Sequence, residues 1–175
     1  MRLFLKILAV LILVATLAAA GLSTYAWVKR FPVCGGGTVQ EIPAAEQAEL
    51  LKTWLDEAEK NAFPGTVCYR SEEVPEADDS KFVQYTVRLV NSGFFPAEWI
   101  SVSTENTEGD LMILGSGGAN VLNAQSEGDM TLTMLCSSER STDRELQVTC
   151  YVLGEKHTMI LTAGSDGIKE KGETK

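Results

Sequence analysis

Lys81-Phe-Val-Gln-Tyr-Thr-Val-Arg-Leu-Val-Asn91 alternates along its length, with Val83, Tyr85, Val87 and Leu89 on one side and Gln84, Thr86 and Arg88 on the other. A period of two sends successive side chains to opposite faces, so this stretch predicts a strand with one buried face. Asn91-Ser-Gly93 predicts the turn that ends it. The pattern returns at residues 97–104, where Ile100 and Val102 alternate with Trp99, Ser101 and Ser103. At 130–136 Met130, Leu132, Met134 and Cys136 alternate with threonines, and at 145–152 Leu146, Val148, Cys150 and Val152 alternate with polar groups. Residues 157–162 place Met159 and Leu161 inward, residues 111–114 are a short apolar run, and residues 66–70 read as a further short strand. Short one-faced strands separated by polar turns predict a mainly β, antiparallel two-sheet sandwich.

Upstream of these strands, residues 43–63 form the one amphipathic helix expected outside the N-terminal segment. Leu50, Leu51, Trp54, Leu55, Ala58 and Ala62 recur at three- and four-residue spacing, with Glu46, Glu49, Asp56, Glu57 and Glu59 opposite. Pro43 suits the first turn and Pro64-Gly65 the end. The apolar stripe is expected to dock on the domain's own core. Residues 31–42 read as a linker made flexible by Gly35-Gly36-Gly37, residues 71–80 as an acidic loop, and residues 163–175 as a disordered tail with too few apolar groups to pack. The expected organisation is therefore a membrane or signal segment (1–30), a linker (31–42), a helix-plus-strand ectodomain (43–162) and the tail.

Residues 7–28 contain no charged side chain. Twenty-two residues at 1.5 Å each span about 33 Å, enough for a hydrocarbon core of about 30 Å. Tyr25 and Trp27 fall where interfacial aromatics occur, and Lys29-Arg30 supply a polar stop. A secretory signal reads from the same residues, with Arg2 and Lys6 as its basic start and a cut near Ala20 after Ala18-Ala19. The apolar run continues past that site to Val28, which favours retention as a single-pass anchor, with the secreted form as the alternative. No small residue precedes Cys34 as a lipidation signal requires. The flanking charges are nearly balanced, so orientation rests on the cysteines and acidic bulk downstream, which place the C-terminal part outside the cytoplasm.

All 24 acidic residues follow residue 30 and face only 11 basic ones there, a net charge of −13. That surface repels nucleic acid and anionic lipid. Four cysteines, Cys34, Cys68, Cys136 and Cys150, also follow the apolar segment. Their even number in an exported domain predicts two disulfides, with three connectivities open. If residues 130–136 and 145–152 form a hairpin turning about Asp143, Cys136 and Cys150 face each other, leaving Cys34 with Cys68. A zinc site is not expected, because no C-x-x-C pair occurs and His157 is the sole histidine.

Val87, Leu89, Asn91 and Gly93, followed by Leu122, Gly128, Leu132 and Met134, resemble the strand-and-turn pattern of small immunoglobulin-like domains of bacterial cell-envelope proteins over residues 81–136. The resemblance implies an immunoglobulin-like sandwich with one packed helix, serving as a binding or spacer module, and it brings no catalytic residue.

The remaining motifs carry little chemistry. His157 lacks a G-x-S-x-G serine elbow elsewhere in the chain, so it reads as a structural histidine. Gly115-Ser-Gly-Gly118 lacks the lysine of a phosphate cradle and reads as a turn. Residues 105–110 lack the ligand alternation of a calcium loop, and no cofactor or metal is expected. The aromatic set Phe94, Phe95 and Trp99 is the candidate binding surface, with one of the adjacent phenylalanines exposed beside Trp99. The expected activity is non-catalytic binding or envelope assembly by a membrane-anchored domain, with a protein or envelope component as partner. An envelope hydrolase or thiol oxidoreductase is the less favoured alternative.

Overall fold

The alternating stretch is the strand β2 (Ser80–Asn91) of a computed structural model that describes residues 2–60, 76–104 and 110–171. Its four inward side chains, Val83, Tyr85, Val87 and Leu89, are each at most 1% exposed. β2 runs antiparallel between β1 (Val33–Pro43) and β6 (Ser126–Ser137), and β6 pairs in turn with β4 (Asp110–Gly118). The second sheet is also antiparallel, in the order β5 (Val121–Leu122), β3 (Ala97–Thr104), β7 (Arg144–Val152), β8 (Glu155–Gly164), β9 (Gly167–Glu170). Inward residues of both sheets make one core, in which Tyr85, Leu132 and Met134 meet Val148, Leu161 and Ile168. Each fully buried aliphatic side chain there is worth about 1.5–3 kcal/mol of transfer free energy. The Tyr85 hydroxyl donates to the Thr142 carbonyl at 2.9 Å, which satisfies the polar tip of an otherwise buried ring.

Residues 31–42, expected as a flexible linker, instead build the edge strand β1, paired with β2 from Val33 to Pro43. The triple glycine serves close approach, not mobility. Gly36 takes φ +109° at a bulge after Cys34, and a Cβ on Gly35 would stand 2.8 Å from Val90 Cγ2. A Cβ on Gly37 would run into the Thr86 carbonyl oxygen and lie 3.0 Å from Ile168. Pro43 ends this edge strand opposite Lys81, a strand-end position where proline is tolerated. The expected tail also folds: β8 continues to Gly164, and β9 returns along it to bury Ile168 against β1. One isoleucine at strand register suffices where a partner edge is waiting. Gly115–Gly118, expected as a turn, continues β4 along β6 past two irregularities.

The helix begins with a tighter turn. A 3-10 turn (Ala44–Gln47) precedes α2 (Ala48–Lys60), and residues 61–63 lie outside the described residues. Ala44 and Leu51 cover Phe82 and Leu135 in a small second cluster on the outer face of the β2–β6 pair. β6 and β7 are not a hairpin. β6 already has β2 and β4 on its two edges, so the six residues after Ser137 cross to the other sheet. Cys136 and Cys150 therefore sit in different sheets and do not face each other; Cys34, Cys136 and Cys150 form no disulfide among themselves. Cys68 and the strand expected at 66–70 lie outside the described residues.

α1 (Arg2–Val28) precedes all this, and its portion Lys6–Val28 is long and apolar enough to cross a membrane. That stretch stands clear of the sheets, with Leu11, Leu13, Leu17 and Leu22 each more than half exposed. Only four residues separate α1 from β1. The packing at Gly37 generates a direct expectation. Gly37→Ala should destabilise the fold by about 1–3 kcal/mol through overpacking, seen as a lower denaturation midpoint; an unchanged midpoint would remove β9 from its assigned place against β1.

Candidate functional site

The functional candidates collect where α1 meets the sheets, because β1 and β3 start there, β2 and β7 end there, and the β5–β6 and β7–β8 connections turn there. Arg30 organises the junction. Its guanidinium donates to both Glu155 carboxylate oxygens, with Nη2 at 3.0 Å from each and Nε at 3.2 Å from Oε2. Nη1 donates to the Trp27 carbonyl at 2.8 Å, capping the last turn of α1. The same group lies 4.0 Å from the Trp27 ring centre and 4.3 Å from that of Phe31. Phe31 stacks on His157 at 4.2 Å with the planes 10° apart. Pro32 is buried, and a Cβ on Gly93 would run into the Lys29 carbonyl oxygen. Each described residue from 30 to 32 is thus tied to the sandwich or the helix end, and the chain has no slack there.

Asn91 holds the adjoining loops. It is 1% exposed, and its amide nitrogen donates to the carbonyls of Phe95 (2.8 Å), Asn123 (3.0 Å) and Leu122 (3.2 Å). Its side-chain oxygen accepts from Gly93 N–H at 3.0 Å. A buried amide with all these partners fixes the β2–β3 loop against the β5–β6 connection. The loop carries the expected aromatics, and the structure splits them. Phe95 packs against the core, while Phe94 is 52% exposed and meets Tyr25 of α1 edge-on at 6.2 Å. Trp99 is 76% exposed and rims a recess of about 380 Å³ with Glu98, Tyr151 and Gly154.

Burial pushes the Cys150 thiol up to about 11 and raises Cys34 as well, so neither carries thiolate at neutral pH. His157 is depressed by burial first, then by the Arg30 cation, against the opposing Glu170 and Glu155 carboxylates. Among the described residues no hydroxyl or thiol bonds to it, and no group of three or more His, Cys, Asp or Glu side chains is placed to hold a metal. Residues 105–109 and most of the acidic loop lie outside the described residues.

Arg30, Glu155, Asn91 and Leu153 belong to this junction; sequence reasoning read Arg30 as part of a polar stop and Asn91 as a turn residue, and gave none of the four a part in joining helix to sheets. Arg30 and Glu155 are 125 positions apart, so only the fold joins them. Leu153-Gly154 did carry a local signal, since two strands separated by two residues ending in Gly predict a tight hairpin. No protein-family description, curated protein or solved structure matches this chain.

Because the folded pKa of His157 lies below its ordinary value, the unfolded chain takes up the proton first as pH falls. The stability held by the neutral ring is thus present above about pH 6.5 and declines below it. NMR titration of this sole histidine should give a midpoint below about 6.5, and His157→Phe should flatten the fall in stability between about pH 7 and 5. A midpoint above the ordinary value would contradict the junction as described.

Proposed function

We propose that the chain is a membrane-anchored, extracytoplasmic immunoglobulin-like module that works by binding or envelope assembly and not by catalysis. The observation that carries this reading is the direct passage of α1 into the sandwich through the Arg30–Glu155 and Phe31–His157 contacts. A cut near Ala20 would leave these contacts in place, since Trp27, Arg30 and Phe31 all follow it, so what separates the two readings is the apolar stretch around them. A product cut after Ala20 would keep Leu22, Tyr25, Trp27 and Val28, each more than half exposed, on a stub that only a membrane or partner would cover. That favours retention over the secreted alternative.

The immunoglobulin-like assignment is supported by strand order. Setting aside β5 and β9, the sheets read β1-β2-β6-β4 and β3-β7-β8. These correspond to the A-B-E-D and C-F-G orders of constant-type immunoglobulin domains. The high thiol pKa values and the stacked, bond-poor histidine weigh against an oxidoreductase or hydrolase. Such sandwiches present ligands to their loops, and the loop end of this one at α1 is where the exposed aromatics are.

Membrane fractionation tests the reading. The full chain should stay in the pellet after alkaline carbonate extraction, and external protease should remove the domain from intact cells. Recovery as a soluble chain beginning at Gly21 would establish the secreted form instead, and a domain protected from external protease would overturn its orientation.

A further inference from the structure

Among the described residues, three non-glycine positions adopt positive φ, Trp99 (52°), Gln125 (55°) and Leu153 (53°), and all three lie at the α1 end of the sandwich. Gln125 has a local reason, since its side-chain nitrogen donates to the carbonyls of Ser92 at 2.6 Å and Gly93 at 2.9 Å. Trp99 and Leu153 have no such compensation, and their side chains stand 76% and 63% exposed. Bulky residues are the least suited to this region of backbone space, and such outliers gather at functional surfaces. Leu153 and Gly154 form the two-residue turn that joins Val152 to Glu155, both at positive φ (53° and 78°). That geometry favours Asn-Gly or Asp-Gly, so leucine is poor both for the turn and for contact with water. Trp99 occupies the irregularity between Glu98 and Ser101 that throws its ring outward. Phe94 completes the set alongside Tyr25, one turn before α1 ends.

From these placements we infer that Phe94, Trp99 and Leu153 form an apolar apron that enters the interfacial layer of the membrane crossed by α1. The inference rests on the anchored reading above, and it names the bilayer itself as a partner of the sandwich. Continuity with α1 supports it. Phe94 already touches the helix, Leu153 precedes the Glu155 that binds Arg30, and Trp99 shares its recess with Gly154. With only four residues between α1 and β1, loops packed on the helix end stand where the headgroups begin. Aromatic rings are favoured at that depth. Lys29, Arg30 and Lys156 share this end with Glu98, Glu127, Glu155 and Glu170, a near balance of charge in a strongly acidic domain. The consequence is a fixed posture, with the α2 end presented away from the membrane.

The test uses the full chain in phosphatidylcholine vesicles, with single-tryptophan variants read by fluorescence. Trp27→Phe with Trp54→Phe leaves Trp99 as reporter; Trp54→Phe with Trp99→Phe leaves Trp27 as the anchor control. The expected result is quenching of Trp99 by acyl-brominated lipid and a several-fold loss of quenching by aqueous iodide relative to a free tryptophan derivative. Iodide-accessible Trp99 beside lipid-quenched Trp27 overturns the apron and leaves the anchor standing. If neither is quenched by brominated lipid, the anchored reading falls and the apron with it. Trp99 shielded from iodide yet untouched by brominated lipid means that another protein surface, including a second copy, covers it, and this also overturns the inference. Leu153→Asn supplies a check of opposite sign. It should raise the thermal midpoint of the detergent-solubilised chain by relieving the turn, while lowering lipid quenching of Trp99. A lowered midpoint, or unchanged quenching, contradicts the role given to Leu153.

Discussion

The paired contact of Arg30 with Glu155 and the Trp27 carbonyl is the constraint on which the arrangement depends. It ties the last turn of a 27-residue helix to the start of β8, at a point where the backbone offers only four residues of slack. The Arg30 side chain is mostly covered and Glu155 half-exposed. In water such a pair contributes about 1 kcal/mol or less. Here it acts with two aromatic faces and the Phe31–His157 stack, so its value lies in direction more than in depth. A charge-assisted, two-pronged contact admits few orientations. From that fixed exit, β1 enters the edge of its sheet in register with β2, and the loops around Asn91 are set beside the helix.

Two kinds of bond share the work in the sandwich. The core supplies the free energy, through inward chains from seven strands whose interdigitation leaves Val148, Leu146 and Met134 without measurable exposure. Polar contacts supply placement. Asn91 locks two loops, and the Tyr85 hydroxyl fastens the crossing between β6 and β7. That crossing separates Cys136 from Cys150. Burial raises the thiols of Cys34 and Cys150, which disfavours their thiolate forms.

The strands with a full period of two were legible in the sequence alone. β2, β3 and β7 fall within a residue of the alternating stretches expected at 81–91, 97–104 and 145–152. What alternation cannot show is an element stabilised by its neighbour. β1 looked like a linker because glycine is the same letter in a flexible chain and at a crowded crossing, and only Thr86 and Ile168 tell the two apart. β9 hides behind a single isoleucine. The β6–β7 hairpin behind the Cys136–Cys150 expectation is absent for a related reason. Consecutive strands usually pair, but both edges of β6 were already taken. At the junction, the aromatics were visible as residue types and Phe94 was separable from Phe95 only as one out, one in. The Arg30–Glu155 contact was invisible, since no local pattern links positions 125 apart.

These features describe a domain that borrows its orientation from its own helix. The β2–β3 and β5–β6 loops are packed at the point of attachment, and α2 lies at the opposite end of the sandwich. The coupling of α1 to the sandwich is tested most directly by pulsed electron spin resonance on the full chain in lipid nanodiscs. Spin labels would be carried by unnatural amino acids at the exposed positions Leu22 and Ile160. A rigid junction predicts a single narrow distance distribution that broadens in an Arg30→Ala chain. A broad distribution in the unaltered junction would contradict it.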